Sequence, residues 1–236
     1  MKITVMSFNT QHCENFRTGV IDYDLMVKTI RDCGADIIGM QEIRGQGTME
    51  GYEPQAQILA DKLGYYYYFA KAIDVGTAPN PYGNALLSRF PILDAVTIPV
   101  PDPTGPLTGS RYESRCLLKA KIDVGEGLTV CDIHFGLNPD EQENAVATVM
   151  SNVETERCVL MGDFNVKPAN PLLDPIRELL FDTADLFEGE RLSWPSDTPR
   201  VKIDYFFTSK DLKVLSADIP AIVSSDHRPY VVELEL

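Results

Sequence analysis

Apolar runs along this chain are short, and again and again they end on polar residues. Lys2 to Phe8 is apolar and β-rich and stops at Asn9; Asp36 to Gln41 reads as a buried strand that stops at Glu42. Between them Leu25, Met26, Thr29, Ile30 and Cys33 recur at helical spacing, which predicts a helix over Tyr23 to Cys33 closed by Gly34. A second helix is expected over Gln55 to Leu63, closed by Gly64, and then strands over Tyr65 to Ala70 and Asn84 to Ser88. Cys116 to Val124 and Leu128 to His134, joined through Gly125-Glu126-Gly127, make the clearest hairpin. Pro139 to Val153 reads as a helix with proline in its first turn and Asn138 as cap. Cys158 to Met161, Ile203 to Phe207 and Tyr230 to Leu236 complete the strands. In the last of these, Val232, Leu234 and Leu236 alternate with Val231, Glu233 and Glu235, as one buried face requires. Many strands and few helices predict an α+β fold of two packed mixed sheets with helices outside.

Composition narrows this picture. No compositional break divides the 236 residues, so a single domain over 1–236 is expected. The start Met1-Lys2-Ile3-Thr4 has no apolar leader, and no apolar run approaches the roughly 18 residues of a membrane span. Five cysteines (Cys13, Cys33, Cys116, Cys131, Cys158) are odd in number and widely spaced, which fits reduced core thiols and a cytoplasmic protein; a monomer is expected. The net charge of −14 argues against a long polyanionic partner and for a small phosphorylated substrate, since nucleic-acid binding relies on clustered Lys and Arg. A divalent cation with a few placed arginines could still supply a local positive field.

The candidate chemistry lies where the apolar runs stop: Ser7-Phe8-Asn9, Gln41-Glu42, Ile133-His134, Gly162-Asp163-Phe164-Asn165 and Ser225-Asp226-His227. Strands ending at one sheet rim can bring such residues together. The set combines hard oxygen ligands (Asn9, Glu42, Asp163, Asn165, Asp226) with two histidines, the inventory for holding a divalent ion and moving a proton near neutral pH. Each cluster alone is ordinary turn chemistry.

These segments, in order, resemble the endonuclease/exonuclease/phosphatase superfamily of abasic-site endonucleases, deoxyribonucleases, neutral sphingomyelinases and inositol polyphosphate phosphatases. The resemblance runs from Ile3 to the C-terminus through Phe8-Asn9, Asp36 to Glu42, Gly83 to Ile92, Ile133-His134-Phe135, Gly162 to Asn165, Lys202 to Tyr205 and Ser225 to Pro229. It implies a four-layer αββα sandwich and Mg²⁺- or Mn²⁺-dependent phosphoester hydrolysis. Glu42 would be the principal metal ligand, with Asn9 and Asp226 beside it. Asp163 would orient or deprotonate the attacking water and Asn165 would hold an oxygen. His134 would donate to the phosphate, and His227, oriented by Asp204, would complete an acid/base pair. Whether Asp163 or His227 is the base stays open. Asn84 and Arg115 resemble phosphate-side residues, whereas His12 falls outside the motifs and Trp194 reads as loop packing.

Specificity would lie in loops 44–51, 71–82, 99–112 and 188–200, which are rich in Gly and Pro and poor in basic residues. That favours a small-molecule or lipid-headgroup phosphodiesterase or phosphatase. A nuclease and a non-catalytic binding protein of the same fold are the alternatives.

Overall fold

The computed structural model describes residues 1–77, 79–107 and 111–236, so the expected specificity loops 71–82 and 99–112 lie partly outside the described residues. The strands in chain order are β1 (Lys2–Asn9), β2 (Glu14–Asn15), β3 (Val20–Ile21), β4 (Ile37–Arg44), β5 (Tyr66–Asp74), β6 (Pro81–Ser88) and β7 (Ile92–Pro99). They continue with β8 (Cys116–Ile122), β9 (Leu128–His134), β10 (Cys158–Asp163), β11 (Phe181–Asp182), β12 (Asp204–Thr208), β13 (Lys213–Asp218) and β14 (Tyr230–Glu235). The helices are α1 (Tyr23–Asp32), α2 (Gln55–Leu63), α3 (Pro139–Asn152) and α4 (Asp174–Leu179).

Two six-stranded sheets form, ordered β13-β14-β1-β4-β6-β5 and β11-β12-β10-β9-β8-β7. Each is mixed, with one parallel pair at its centre: β1 with β4, and β9 with β10. Ile3, Val5, Leu86, Leu118, Val130, Met161 and Leu234 fill the space between the sheets. The outer face of the first sheet packs Met26, Ile30 and Leu59 from α1 and α2; that of the second packs Ala145, Val149 and Ile176 from α3 and α4. The result is the expected αββα sandwich.

Local chemistry fixes the ends of these elements. Asp22 accepts from the Leu25 N–H at 2.9 Å to start α1, and Gly64, at φ 73°, stops α2 in the left-handed region that favours glycine. At the start of α3 the Glu141 carboxylate reaches back to the Asn138 N–H at 3.1 Å. Tyr230, Val232 and Leu234 of β14 face inward while Val231, Glu233 and Glu235 are half-buried, as their alternation predicts.

The pattern misleads at the margins. β7 and β13 are edge strands of their sheets, with few buried positions and no clean alternation, so the sequence offers little period-2 signal there. Lys71 to Tyr82 is less a loop than a hairpin: β5 runs to Asp74 and β6 resumes at Pro81. The short α4 goes unpredicted because two turns carry too little periodicity.

Between the sheets lies a polar contact. Gln41 Nε2 donates to Asp132 Oδ1 at 2.5 Å and to Ser7 Oγ at 3.3 Å. A side chain at Gly39 would put its Cβ 2.5 Å from Asp132 Oδ1, so glycine there is what lets the two sheets approach. Burial pushes the Asp132 carboxyl well above its ordinary range, against the opposing pull of the Gln41 bond.

Candidate active site

The two sheets deliver different halves of one cluster. Asn9 ends β1, Glu42 lies near the end of β4, and Asp226 and His227 precede β14, all on the first sheet. His134 ends β9, Asp163 ends β10, Asn165 follows it, and Asp204 opens β12, on the second. In register, Asp163 lies opposite both His134 and Asp204.

Glu42 sits at φ 61° where the pairing of β4 with β6 slips between Met40 and Ile43. This bulge takes Glu42 out of the alternation that would otherwise fix which face its side chain occupies. Asn165 is also left-handed, at φ 51°, and its N–H donates to Asp163 Oδ1 at 3.0 Å. Phe164 between them is fully buried and stacks on Phe135 at 4.4 Å, which anchors the turn carrying both polar side chains. Gly162, at φ +147°, would place a Cβ 1.8 Å from the Ile133 carbonyl oxygen; β9 and β10 can meet there only because the residue is glycine.

Cross-sheet contacts close the cluster. Asn9 Nδ2 donates to Glu42 Oε1 and to Asp163 Oδ2, each at 3.1 Å. His227 Nδ1 lies 2.8 Å from Asp204 Oδ2 and its Nε2 lies 3.5 Å from Asp163 Oδ2. His134 Nε2 lies 3.5 Å from the same Asp163 oxygen and 3.2 Å from Asn165 Nδ2, which also donates to the Phe135 carbonyl at 3.2 Å. Asn9, Asp163, Asp204, His134 and His227 are all buried.

Burial drives Asp163 up to about 7, with Asp204 adding to the shift and His227 opposing it. Burial pulls His227 down, but Asp204 and Asp163 outweigh it and raise the ring to about 10. His134 is held well below its ordinary value by burial, then by Arg115 and His227. The two histidines therefore differ near neutral pH: His227 is an imidazolium between carboxylates and His134 a neutral ring.

Arg115 Nη1 pairs with Glu113 Oε1 at 2.7 Å and lies 3.4 Å from His134 Nδ1. Asn84 is largely buried, and its amide Nδ2 donates to the Cys116 and Asp132 carbonyls at 3.2 and 3.4 Å, which ties the two sheets together beside the cluster. Asp226 accepts from Trp194 Nε1 at 3.3 Å and from Ser225 Oγ at 3.2 Å. Its carboxyl is raised by burial. Trp194 is thus more than loop packing. His12 joins the neighbourhood too: its ring lies 3.1 Å from the Glu42 carbonyl and 3.8 Å from the Glu42 carboxylate. Neither position carried a spacing signal; each is brought in by a turn.

Two residue sets have the chemistry to hold a cation. Asp163, Asp204 and His227 offer atoms within 4.8 Å of one another, but both ring nitrogens of His227 face carboxylates, which suits a protonated ring and leaves no lone pair for a metal. Asn9, Glu42 and Asp226 supply hard oxygens instead, and the Asn9 NH₂ already lies between two carboxylates, where positive charge is favoured. As placed, Asn9 Oδ1 accepts from the Gln11 N–H at 3.1 Å, so the amide presents its nitrogen to the acids.

Residues 6–227 match the Endonuclease/Exonuclease/phosphatase family. Protein cwh43 of Schizosaccharomyces pombe is 32% identical over 97 residues, which is 40% of this chain and only 9% of that protein's length. Among solved structures, an endonuclease/exonuclease/phosphatase from Beutenbergia cavernae superposes with a TM-score of 0.83 at 22% identity, covering 100% of this chain and 72% of that one. The mannosyl-6-phosphatase Bt3783 of Bacteroides thetaiotaomicron superposes at 0.78 with 17% identity, covering 99% of this chain and 100% of the other. At such identities the structural likeness speaks for the fold.

Proposed function

The chain belongs to the Endonuclease/Exonuclease/phosphatase family of phosphoester hydrolases, and from that membership we propose that it is a Mg²⁺- or Mn²⁺-dependent phosphodiesterase or phosphatase acting on a small or lipid-linked phosphate. The observation that carries this reading is the His227 imidazolium held 2.8 Å from Asp204 and 3.5 Å from Asp163, with the Asn9–Glu42 pair directly across Asp163.

Asp163 is the general base in this reading, because a carboxylate raised to about 7 can accept a proton from water at neutral pH. Asp204 keeps His227 charged and oriented, and the charged ring faces the negative charge that builds as the water oxygen joins phosphorus and the ester oxygen leaves. Arg115 and Asn165 Nδ2 are both donors, and a neutral imidazole accepts only one of them. A phosphate oxygen taking the Asn165 N–H would leave Arg115 at Nδ1 and the proton of His134 on Nε2, aimed at the phosphate. Glu42, Asn9 and Asp226 fit a divalent ion by their hard-donor chemistry, with the Asn9 amide turned to present its oxygen. When bound, Mg²⁺ or Mn²⁺ would act as a Lewis acid on a phosphoryl oxygen.

The net charge of −14 favours a small substrate over a long polyanion, and the name mannosyl-6-phosphatase borne by the Bacteroides protein is in keeping with one. Hydrolysis of p-nitrophenyl phosphate, bis-p-nitrophenyl phosphate, sphingomyelin and plasmid DNA, with Mg²⁺ or Mn²⁺ and with chelator, tests the reading against Glu42→Ala. Turnover of a small or lipid ester that is lost both with chelator and in the variant is expected. Cleavage of DNA alone would replace it with a nuclease.

A further inference from the structure

A cavity of about 530 Å³ lies beside the catalytic cluster rather than in it, between the loop after β10, the 187–192 segment and the residues leading into β12. Its walls are part apolar, with Phe187, Leu192 and Val201, and part cationic, with Lys167, Arg200 and Lys202; one carboxylate, Glu190, also lines it, next to Arg191, which is paired with Asp218. None of the candidate catalytic or metal-holding residues lines it. The volume falls within the range of small-molecule sites.

The cations set this cavity apart. Most Lys and Arg side chains of this acidic protein are already engaged in salt bridges or hydrogen bonds. Among the described residues, only Arg17, Lys121, Lys167, Arg200 and Lys202 have neither, and the last three all line this one cavity. Lys202 is the built element. It is 6% exposed and its Nζ has no hydrogen-bond partner; the Tyr205 and Tyr230 rings lie 3.3 and 5.7 Å from Nζ to their centroids, and Asp182 and Asp204 attract it through space against the cost of burial. A ring face offsets part of the cost of burying an ammonium but leaves its N–H donors unused. Solvation alone accounts for Lys167 and Arg200, which are exposed, but not for Lys202.

We propose that this cavity is a binding site for an organic anion with an apolar body, its charged group held by Lys167, Arg200 and Lys202 and its body lying against Phe187, Leu192 and Val201. An inorganic anion would use only the cationic wall, and a neutral aromatic only the apolar one. The site stands apart from the catalytic chemistry, although Lys167 lies two residues beyond Asn165 and Lys202 two before Asp204.

Naphthalene-1-sulfonate, which offers no phosphoester to cleave, is the probe, followed by calorimetry and by the fluorescence of Trp194, the single tryptophan, which pairs with Val201 of the cavity wall. Saturable binding is expected, at least tenfold tighter than for inorganic sulfate or 1-naphthalenemethanol. Lys167→Glu/Arg200→Glu should weaken it at least tenfold, while His134→Ala leaves it unchanged. Both substituted cations are exposed, and Lys167→Gln/Arg200→Gln repeats the test without charge reversal should the first pair disturb folding. Absence of saturable binding, binding indifferent to both pairs, or loss in His134→Ala would overturn the proposal.

Discussion

Asp204→Asn isolates the orienting carboxylate with minimal change of shape. In the wild type, Asp204 Oδ2 lies 2.8 Å from His227 Nδ1, and both side chains are almost wholly excluded from solvent. The gap between 6.5 and about 10 for His227 corresponds to about 5 kcal/mol in favour of the charged ring, a net figure after burial has opposed it. Asp204 is the strongest favourable contributor, ahead of Asp163. One opposite charge at such a distance moves a titration by about 1–3 pH units, so the variant's His227 should titrate about 2 units lower. Hydrolysis should fall about 10³- to 10⁴-fold, as expected when an orienting carboxylate loses its charge and the ring its proton preference. ¹⁵N NMR of the imidazole reads the titration directly, and steady-state kinetics reads the rate. A second consequence follows from linkage. Because the folded value is raised, the stabilisation is complete below 6.5 and is lost as pH rises through about 10. Wild-type stability should therefore decline across that window, and the Asn variant should decline less. An unmoved His227 titration, or a rate within tenfold of wild type, would refute the Asp-His pairing as the source of the charge.

With Asp163 titrating at about 7, kcat/KM should fall on the acid side of neutrality as this base is protonated, and Asp163→Asn should remove that limb along with at least 10³-fold of the rate. The same variant should be more stable than wild type above pH 7, in chemical denaturation, because the raised carboxyl costs stability once ionised. Gly162→Ala should unfold the protein or cost more than about 4 kcal/mol, since its Cβ would meet a backbone oxygen at 1.8 Å; a cooperative wild-type melting curve would contradict this. Arg115→Leu should lower kcat and raise the His134 titration by NMR, Arg115 being the second influence, after burial, that holds the ring down.

What was legible in the sequence divides along physical lines. The hairpin from Cys116 to His134 and the C-terminal strand read clearly because glycines mark the turn and one face of the strand is apolar. Strand-end polar residues marked the cluster because the ends of the central strands meet at one rim. The bulge at Glu42 and the left-handed turn through Gln11, His12 and Cys13 did not show, since none of these residues is a glycine and their φ values of 46° to 61° are imposed by the packed surroundings. The same holds for Asp132, a carboxyl buried inside an apolar strand, where the pattern calls for a hydrophobic residue and a partner from the other sheet supplies the compensation. The cross-sheet bonds of Asn84 were not legible, because a strand residue's face can be read from the sequence but what waits opposite it cannot.

The division of the cluster between two sheets makes catalytic alignment a gauge of the core. The 3.1 Å bond from Asn9 to Asp163 and the 2.8 Å contact of His227 with Asp204 both span the gap that Leu118, Val130 and Met161 hold open from one side and Val5, Leu86 and Leu234 from the other. A slip of about an ångström between the layers leaves every strand hydrogen-bonded within its own sheet yet draws these groups out of hydrogen-bond range. Warming or dilute denaturant should therefore silence such a protein before it unfolds, and substitutions deep in the sandwich, far from any substrate, should tune turnover through the spacing they set.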